Sequence, residues 1–417
     1  MSPETLKAAR LAWWELLTPN AQWLGISFMW SALHPVVLPA LLVNLVPQAQ
    51  KNTYLGLLTF AGLVIAMLVQ PAAGAVSDGW KSALGRRRPL MLVATVIACV
   101  FLALLGQTRA LLWLSIGYLG LQVSSNAIQG PLQGLLRDRV PPVQLGKASS
   151  FKVLIDLLSV IAAGLVAGQL LDRGPHGTAA VVLIMAALLI VSGAVTIFLT
   201  PQDPSTPQST PTESSDMDGP EDGVGWRSGY QWLIAERALF LLGIYGLQAF
   251  GEYYLGDVLH IPDPARGAGN LMAAVGSATI VLVLVSGWLA DRVGAKVILY
   301  LGSMVTAVGL ILVGTTQSMA SVIGFGCIVG AGIGLFLTSN WTLANRLAPR
   351  AQAGRFLGFT NVATAGAAAL ARLQGPAVDW LNSVRPGEWM GYRGLFMFGA
   401  VCVAASLVFL TRIRATS

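Results

Sequence analysis

Twelve apolar stretches, each near the roughly 20 residues that a helix needs to cross about 30 Å of hydrocarbon, begin near Ala21, Thr53, Pro89, Ala110, Phe151, Thr178, Gln231, Asn270, Lys296, Met319, Phe359 and Gly394. No other feature restricts the fold so tightly. Lipid offers the backbone no water, so a spanning segment must be a helix or a strand of a closed barrel. These runs are continuously apolar, where barrel strands alternate. The expectation is an all-α membrane protein with twelve transmembrane helices. Composition agrees, with 55% hydrophobic residues, a mean hydropathy of +0.67 and 11% charged residues, against about a quarter charged in soluble domains.

The net charge of +7 does not indicate a nucleic-acid partner, because the cations are scattered over loops. With the N-terminus inside, nineteen of the 26 Lys and Arg fall on the cytoplasmic side, six fall outside and Arg372 lies within a span. That bias predicts a multi-pass protein of the cell membrane with both termini cytoplasmic. Residues 1–19 carry Trp13-Trp14 and no cleavable signal, and read as an interfacial segment. Cys99, Cys327 and Cys402 sit in apolar runs and read as small core residues.

The chain repeats itself. Gly74-Ala-Val-Ser-Asp78, followed by Gly85-Arg86-Arg87-Arg88-Pro89, returns as Gly287-Trp-Leu-Ala-Asp291-Arg292-Val-Gly294. Three further echoes follow in the same order. They are Asp138-Arg139-Val-Pro141 with Asn345-Arg346-Leu-Ala-Pro349, Gly146-Lys147 with Gly354-Arg355, and Gly168-x-x-x-Asp172 with Gly375-x-x-x-Asp379. Between the copies lies a Pro-, Ser- and Thr-rich acidic stretch that cannot build a core. The predicted organisation is two pseudo-symmetric six-helix bundles, residues 20–200 and 231–417, joined by a disordered cytoplasmic linker, 201–230.

Two six-helix halves with this repeated motif resemble the major facilitator superfamily over nearly the whole chain. Gln70-Pro71-x-x-Gly74-x-x-Ser77-Asp78, the spacing to Gly85-Arg-Arg-Arg-Pro89 and Gln129-Gly130-Pro131 resemble its sucrose-transporter and glycoside–pentoside–hexuronide symporter branch. The resemblance implies secondary transport of a small molecule by alternating access, and a monomer. It also implies a cytoplasmic gate, for which the matching residues are Gly74, Asp78, Arg86, Arg87, Arg88, Arg139, Gly287, Asp291, Arg292 and Arg346. Gly74 and Gly287 would let helices approach closely, and Asp78 and Asp291 would pair with Arg139, Arg292 or Arg346. Arg86 to Arg88 serve equally well as topology determinants alone.

In the fourth span, Gln122, Asn126, Gln129 and Gln133 recur at helical spacing on one face. Amides facing lipid are costly, so this face is expected to line a cavity suited to a neutral polyhydroxylated solute, or to glue helices together. Trp30 and Trp341 offer flat surfaces for a sugar ring. His34, Gln248, Asn340, Asn361 and Arg372 complete the candidate substrate-binding set. Sucrose symporters of the branch carry an acid and an arginine where this chain has Gln122 and Gln133. The resemblance therefore does not bring proton coupling to this helix.

Coupling, if present, must use another group. The candidates are Glu252, in Phe250-Gly-Glu-Tyr-Tyr-Leu-Gly256 where glycines would permit a broken helix, Asp156 in an ion pair with Lys152, and His34. His34 or Arg372 is the expected partner of Glu252, either for coupling or for a static ion pair. An anionic substrate would make Arg372 its clamp.

The sequence carries no phosphate-binding Gly-Lys-Ser/Thr loop, metal-ligand cluster or nucleophile elbow, so neither a cofactor nor an enzyme is expected. The readings in play are a sugar or glycoside transporter, a symporter if a proton is the second partner; an efflux or facilitated transporter of an anionic or amphipathic solute; and a non-transporting receptor or assembly factor of the same fold.

Overall fold

The computed structural model describes residues 11–80, 82, 84–107, 109–141, 144–200, 225–347 and 353–413, with the side chains of 137, 145–146, 225–228, 291 and 353–358 left aside. Every regular element among them is helical. In order they are α1 (Trp13–Leu17), α2 (Ala21–Ala32), α3 (Leu38–Leu42), α4 (Lys51–Gly79), α5 (Arg88–Gln107), α6 (Leu111–Arg139), α7 (Leu145–Leu171) and α8 (Pro175–Ala194). Then follow α9 (Gly225–Asp257), α10 (Pro264–Val293), α11 (Ala295–Thr315), α12 (Met319–Leu347), α13 (Ala353–Arg372), α14 (Gly375–Val384) and α15 (Met390–Arg412). Eleven helical stretches among the described residues are long and apolar enough to span a bilayer, the first of them running from Trp13 to Leu42 through α1, α2 and α3. The eleventh expected span falls on α13, which begins ahead of Phe359.

The predicted linker lies outside the described residues as far as residue 224, but α9 already starts at Gly225, inside the stretch read as linker. The N-terminal interfacial segment is described only from Leu11. There Trp13 and Trp14 are exposed while Leu16 packs with Val140 and Ala148. Gln144 fastens this segment by accepting from the Leu11 N–H at 2.8 Å and donating to its carbonyl at 2.9 Å.

Two compact units are distinguished by their internal contacts. The first gathers the described residues of Met1–Leu33 and Ala61–Ser215, and the second those of His34–Phe60 and Asp216–Ser417. Residues 34–60 thus pack with the second unit, although they precede the linker in sequence. In the first unit α2 packs against α7 and α8, and α5 lies along α6. Gln22 of α2 donates from its backbone to Thr196 at 2.9 Å and from its side chain to Thr95 at 3.0 Å, so this buried amide ties three elements together. In the second unit α12 packs along α10 and α11, and α9 along α13 and α15. The Phe240 and Phe336 rings stack there at 3.5 Å.

Local sequence explains the irregularities. Pro35 has no N–H to give to the turn before it, and Leu33–Val37 widens into a π-turn between α2 and α3. Gly85 and Gly294 hold φ of 86° and 93°, a left-handed turn that a side chain would strain. Each follows the Asp of a Gly-x-x-x-Asp motif, seven residues after Asp78 and three after Asp291, and precedes the next long helix. Large apolar residues such as Leu183, Leu284 and Val362 remain exposed, as lipid-facing helix surfaces require.

Candidate functional site

The amides of α6 form a ladder within their own helix. Gln122 donates to the Tyr118 hydroxyl at 2.7 Å. Asn126 donates to the Gln122 carbonyl at 2.8 Å and to its Oε1 at 3.1 Å. Gln129 donates to Asn126 Oδ1 at 3.3 Å. Each rung follows from the i, i+3 and i, i+4 spacing that stacks side chains on one face.

The ladder changes character along its length. Gln122 and Asn126 are 2% and 3% exposed and spend their polar atoms on neighbours, Gln129 is half-buried, and Gln133 is exposed. Among the described residues, Gln133 and the Gln129 carbonyl have no protein partner. The expected interhelical glue is therefore an intrahelical chain, and the two later amides keep free hydrogen-bonding capacity. Tyr118, which anchors the first rung and meets Trp30 edge-on at 6.2 Å, was not singled out from sequence, although its position four residues before Gln122 fits the same spacing.

The motif at the end of α4 makes a charged cluster in the first unit. Asp78 pairs with Arg87 at 2.9 Å, a partner outside the expected set of Arg139, Arg292 and Arg346. Arg87 also grips Asp138 Oδ2 at 2.6 Å and reaches the Ser77 hydroxyl at 3.4 Å, while Arg86 meets Asp138 at 2.9 Å. Arg88 donates to the Thr200 carbonyl, so the three arginines have specific partners beyond their topological role. Burial opposes the charge on Asp138, but hydrogen bonds and charge from Arg87 and Arg86 outweigh it and hold the carboxyl below its usual range.

The steric expectation for the motif glycines fails. A Cβ at Gly74 or Gly287 would find its nearest neighbour at 3.9 Å. The close approach is at Gly130 of α6, where a Cβ would strike the Gln70 carbonyl oxygen and come within 2.7 Å of the Gly74 nitrogen, and Gly134 leaves room for the Arg87 guanidinium. In the second copy, the Asp291 side chain lies outside the described residues, Arg346 is exposed, and Arg292 is exposed and lies 3.8 Å over the Trp288 ring.

The second unit buries charge. Asn340 of α12, fully buried, donates to Glu236 Oε2 at 2.8 Å and accepts from Arg237 Nη1 at 2.6 Å. Arg237 continues to Thr364 Oγ1 at 2.9 Å and lies 5.9 Å from the centre of the Trp341 ring, while Tyr230 and Thr360 share a hydrogen bond of 2.7 Å. Sequence reasoning missed Glu236 and placed Arg237 among the cytoplasmic loop cations. The rule that singled out Glu252, a carboxylate within an apolar run, applies equally to Glu236.

A second cluster joins residues 51–53 to α9, α14 and α15. Asp379 accepts from Asn52 at 2.8 Å and from the Thr53 backbone and hydroxyl at 2.7 and 2.6 Å, which caps the first turn of α4 from another helix. Lys51 meets Asp257 at 2.6 Å, and the Tyr392 hydroxyl donates to the other oxygen of Asp257 at 2.7 Å. Glu252 is 5% exposed within an unbroken α9, so the glycines beside it do not interrupt the helix. The ionised group that acts on it is Lys51, where His34 or Arg372 was expected. His34 lies in the π-turn and feels the charge of Arg372, itself 5% exposed.

Asp156 pairs with Lys152 at 2.7 Å as anticipated and also accepts from Ser27. Gln248, Asn361 and Trp341 are exposed; Trp341 borders the buried cluster of Asn340 through its ring over Arg237, and the Gln248 and Asn361 side chains make no hydrogen bond among the described residues. A cavity of about 370 Å³ beside Trp13, Leu16 and Phe151 is lined by Gln144 and by none of the α6 amides.

Helical spans of this number, polar clusters inside them and a repeated Gly-x-x-x-Asp step define a multi-pass helical membrane protein. The profile of the Major Facilitator Superfamily matches residues 22–371, and the chain belongs to that family, one of transporters and not of enzymes. It is 29% identical over 150 residues to the minor myo-inositol transporter IolF of Bacillus subtilis, covering 36% of this chain and 31% of that protein. It is 24% identical over 148 residues to the sucrose transport protein SUT4 of Oryza sativa subsp. indica, covering 30% and 24%. The matched region thus spans less than a third of these relatives. Among solved structures, the POT family transporter PepTSo superposes with a TM-score of 0.73 at 14% identity, covering 97% of this chain and 98% of that one. A D-xylose-proton symporter gives 0.70 at 16% identity, covering 95% and 97%. These likenesses establish the major facilitator fold of a multi-pass membrane protein.

Proposed function

We propose that the chain moves a small neutral polar solute, a sugar or glycoside, by alternating access. The observation that carries this is the uncharged amide ladder of α6, whose Gln129 and Gln133 end offers donors and acceptors without net charge. Hydroxyl groups satisfy such amides in both directions, whereas an ionic solute would leave its own charge unanswered there. Trp30, beside Tyr118, adds a flat apolar face for a sugar ring. The partial likeness to proteins named for myo-inositol and sucrose supports the same solute class. The Arg87 cluster acts in this reading as the cytoplasmic gate. Glu252, buried in α9 near Lys51, is the group through which a proton couples to transport.

A thermal-shift screen of the purified protein against mono- and disaccharides, sugar acids and hydrophobic amines tests the solute class. A ligand at a hundred times its Kd adds about 2.7 kcal/mol, so even weak binders register at high concentration. Stabilisation by neutral sugars alone is the expected result. Stabilisation confined to sugar acids would instead favour an anionic solute, the reading that the buried guanidinium of Arg372 supports. Uptake measured at several pH values in Glu252→Gln tests the coupling assignment, and an unchanged pH dependence would remove Glu252 from the mechanism.

A further inference from the structure

Glu236 and Arg237 are adjacent in sequence, yet no direct ion pair joins them. Asn340 stands between, giving its amide hydrogen to the carboxylate and its carbonyl oxygen to the guanidinium. The Glu236 side chain is 0% exposed, and its Oε1 meets no hydrogen-bond donor. Arg237 is held by neutral acceptors only, Asn340 and Thr364. Such an arrangement is a poor structural staple. Burying two charges costs several kcal/mol each, direct contact recovers most of that, and an orphaned carboxylate oxygen forgoes part of it. A neutral amide at 236 would hold α9 to α12 as well. A carboxyl kept there, one lone pair short of a partner, is arranged to receive a proton.

We propose that Glu236 is a proton-exchange group of this transporter, a second station on α9 in addition to Glu252. The inference rests on the secondary-transport reading above. Glu236 and Glu252 stand sixteen positions apart on one continuous helix, about 24 Å at 1.5 Å per residue. They therefore lie toward opposite ends of a single span, one beside Arg237 and Asn340, the other near Lys51. Uptake of one proton from water turns the Glu236 carboxylate into the acid, with its new O–H on Oε1, and leaves the charge of Arg237 uncompensated. Release restores the balance, and no other bond forms or breaks.

The surroundings of Glu236 are specific. On α9 itself Arg237 is the ionised neighbour, with Tyr230 and Tyr245 also acting on Arg237. From α12 comes the neutral Asn340. From α13 come the neutral Thr360 and Thr364, and its Arg372 acts further along α9 on Tyr245. From α10 and α15, the other long helices packed on α9, no ionised group among the described residues acts on Glu236.

Infrared titration of the purified protein in lipid nanodiscs tests the proposal without any solute. A protonated-carboxyl C=O band that grows on acidification in the wild type should be lost in Glu236→Gln and return, at a shifted pH midpoint, in Glu236→Asp. If the Gln variant does not fold, the midpoint shift in the Asp variant is the readout. In proteoliposomes with sucrose and myo-inositol as probes, Glu236→Gln should lose accumulation driven by a proton gradient while keeping counterflow, which needs no net proton movement. A band unchanged in Glu236→Gln, no midpoint shift in Glu236→Asp, or undiminished gradient-driven accumulation overturns the assignment. A Glu236-dependent band in a wild type that moves neither probe would locate the fault in the solute assigned above and leave the titration standing.

Discussion

The two units solve the problem of polar groups in lipid in opposite ways. The first lines α6 with neutral amides that pass hydrogen bonds from Tyr118 to Gln129, and its ion pairs among the described residues are Lys152 with Asp156 on α7 and the cluster beside the end of α4, where Arg87 gathers Asp78 and Asp138. The second buries Glu236, Arg237 and Glu252 inside α9, and Arg372 at the end of α13. A repeated motif need not keep repeated chemistry. Asp138 holds Arg86 and Arg87 together in the first cluster, whereas Asn345, at the matching place in the second copy of the motif, is exposed and, among the described residues, donates to the carbonyl of Trp341. The difference suits a division of labour in which one unit binds an uncharged solute and the other handles charge.

Removing the hub of the first cluster should have the largest effect. Arg87→Ala takes an ion-pair partner from Asp78, leaves Asp138 with Arg86 alone among the described residues and opens the space beside Gly134, and a loss of about 3 kcal/mol is expected as a fall in the thermal midpoint of the purified protein. Arg87→Lys should recover only part of this, because an ammonium cannot bridge Asp78, Ser77 and Asp138 at once. Gly130→Ala ranks next, at about 1–3 kcal/mol, since the added methyl meets the Gln70 carbonyl. Gly74→Ala and Gly287→Ala should each stay within about 0.5 kcal/mol. Equal losses at positions 74 and 130 would restore the motif glycine as the contact point.

In the second unit, Asp379→Ala removes the cap on α4 and should cost about 1–2 kcal/mol, read by the same melt. The smallest effect is one of pH. The Asp138 carboxyl titrates below its ordinary value in the folded protein, so its stabilisation is complete above about pH 4 and disappears as the pH falls further. Asp138→Asn should flatten that acid limb, and an unchanged limb would show that another carboxylate carries it.

Much of this was legible in the residues. Apolar run lengths located the spans, because a bilayer fixes helix length, and the Gly-x-x-x-Asp echo pointed to the duplication. The i, i+3 and i, i+4 spacing placed Gln122, Asn126 and Gln129 on one face, which the ladder repeats. Partner choice was not legible. Arg87 meets Asp78 because the turn at Gly85 brings it back over the end of α4, a matter of three-dimensional path that spacing does not encode. The same holds for Asp379, which reaches Thr53 across 326 positions of sequence. Glu252 was expected in a broken helix because Gly251 and Gly256 flank it, but packing of α9 along α13 and α15 keeps the helix whole. Tertiary contact overrides local propensity there.

The division of labour is tested most directly by counterflow in proteoliposomes, with the neutral sugar that stabilises the protein best as the solute. Gln129→Leu combined with Gln133→Leu should abolish exchange while the variant still folds, and Glu252→Gln should leave exchange intact. Undiminished counterflow in the double leucine variant would contradict the assignment of solute binding to α6.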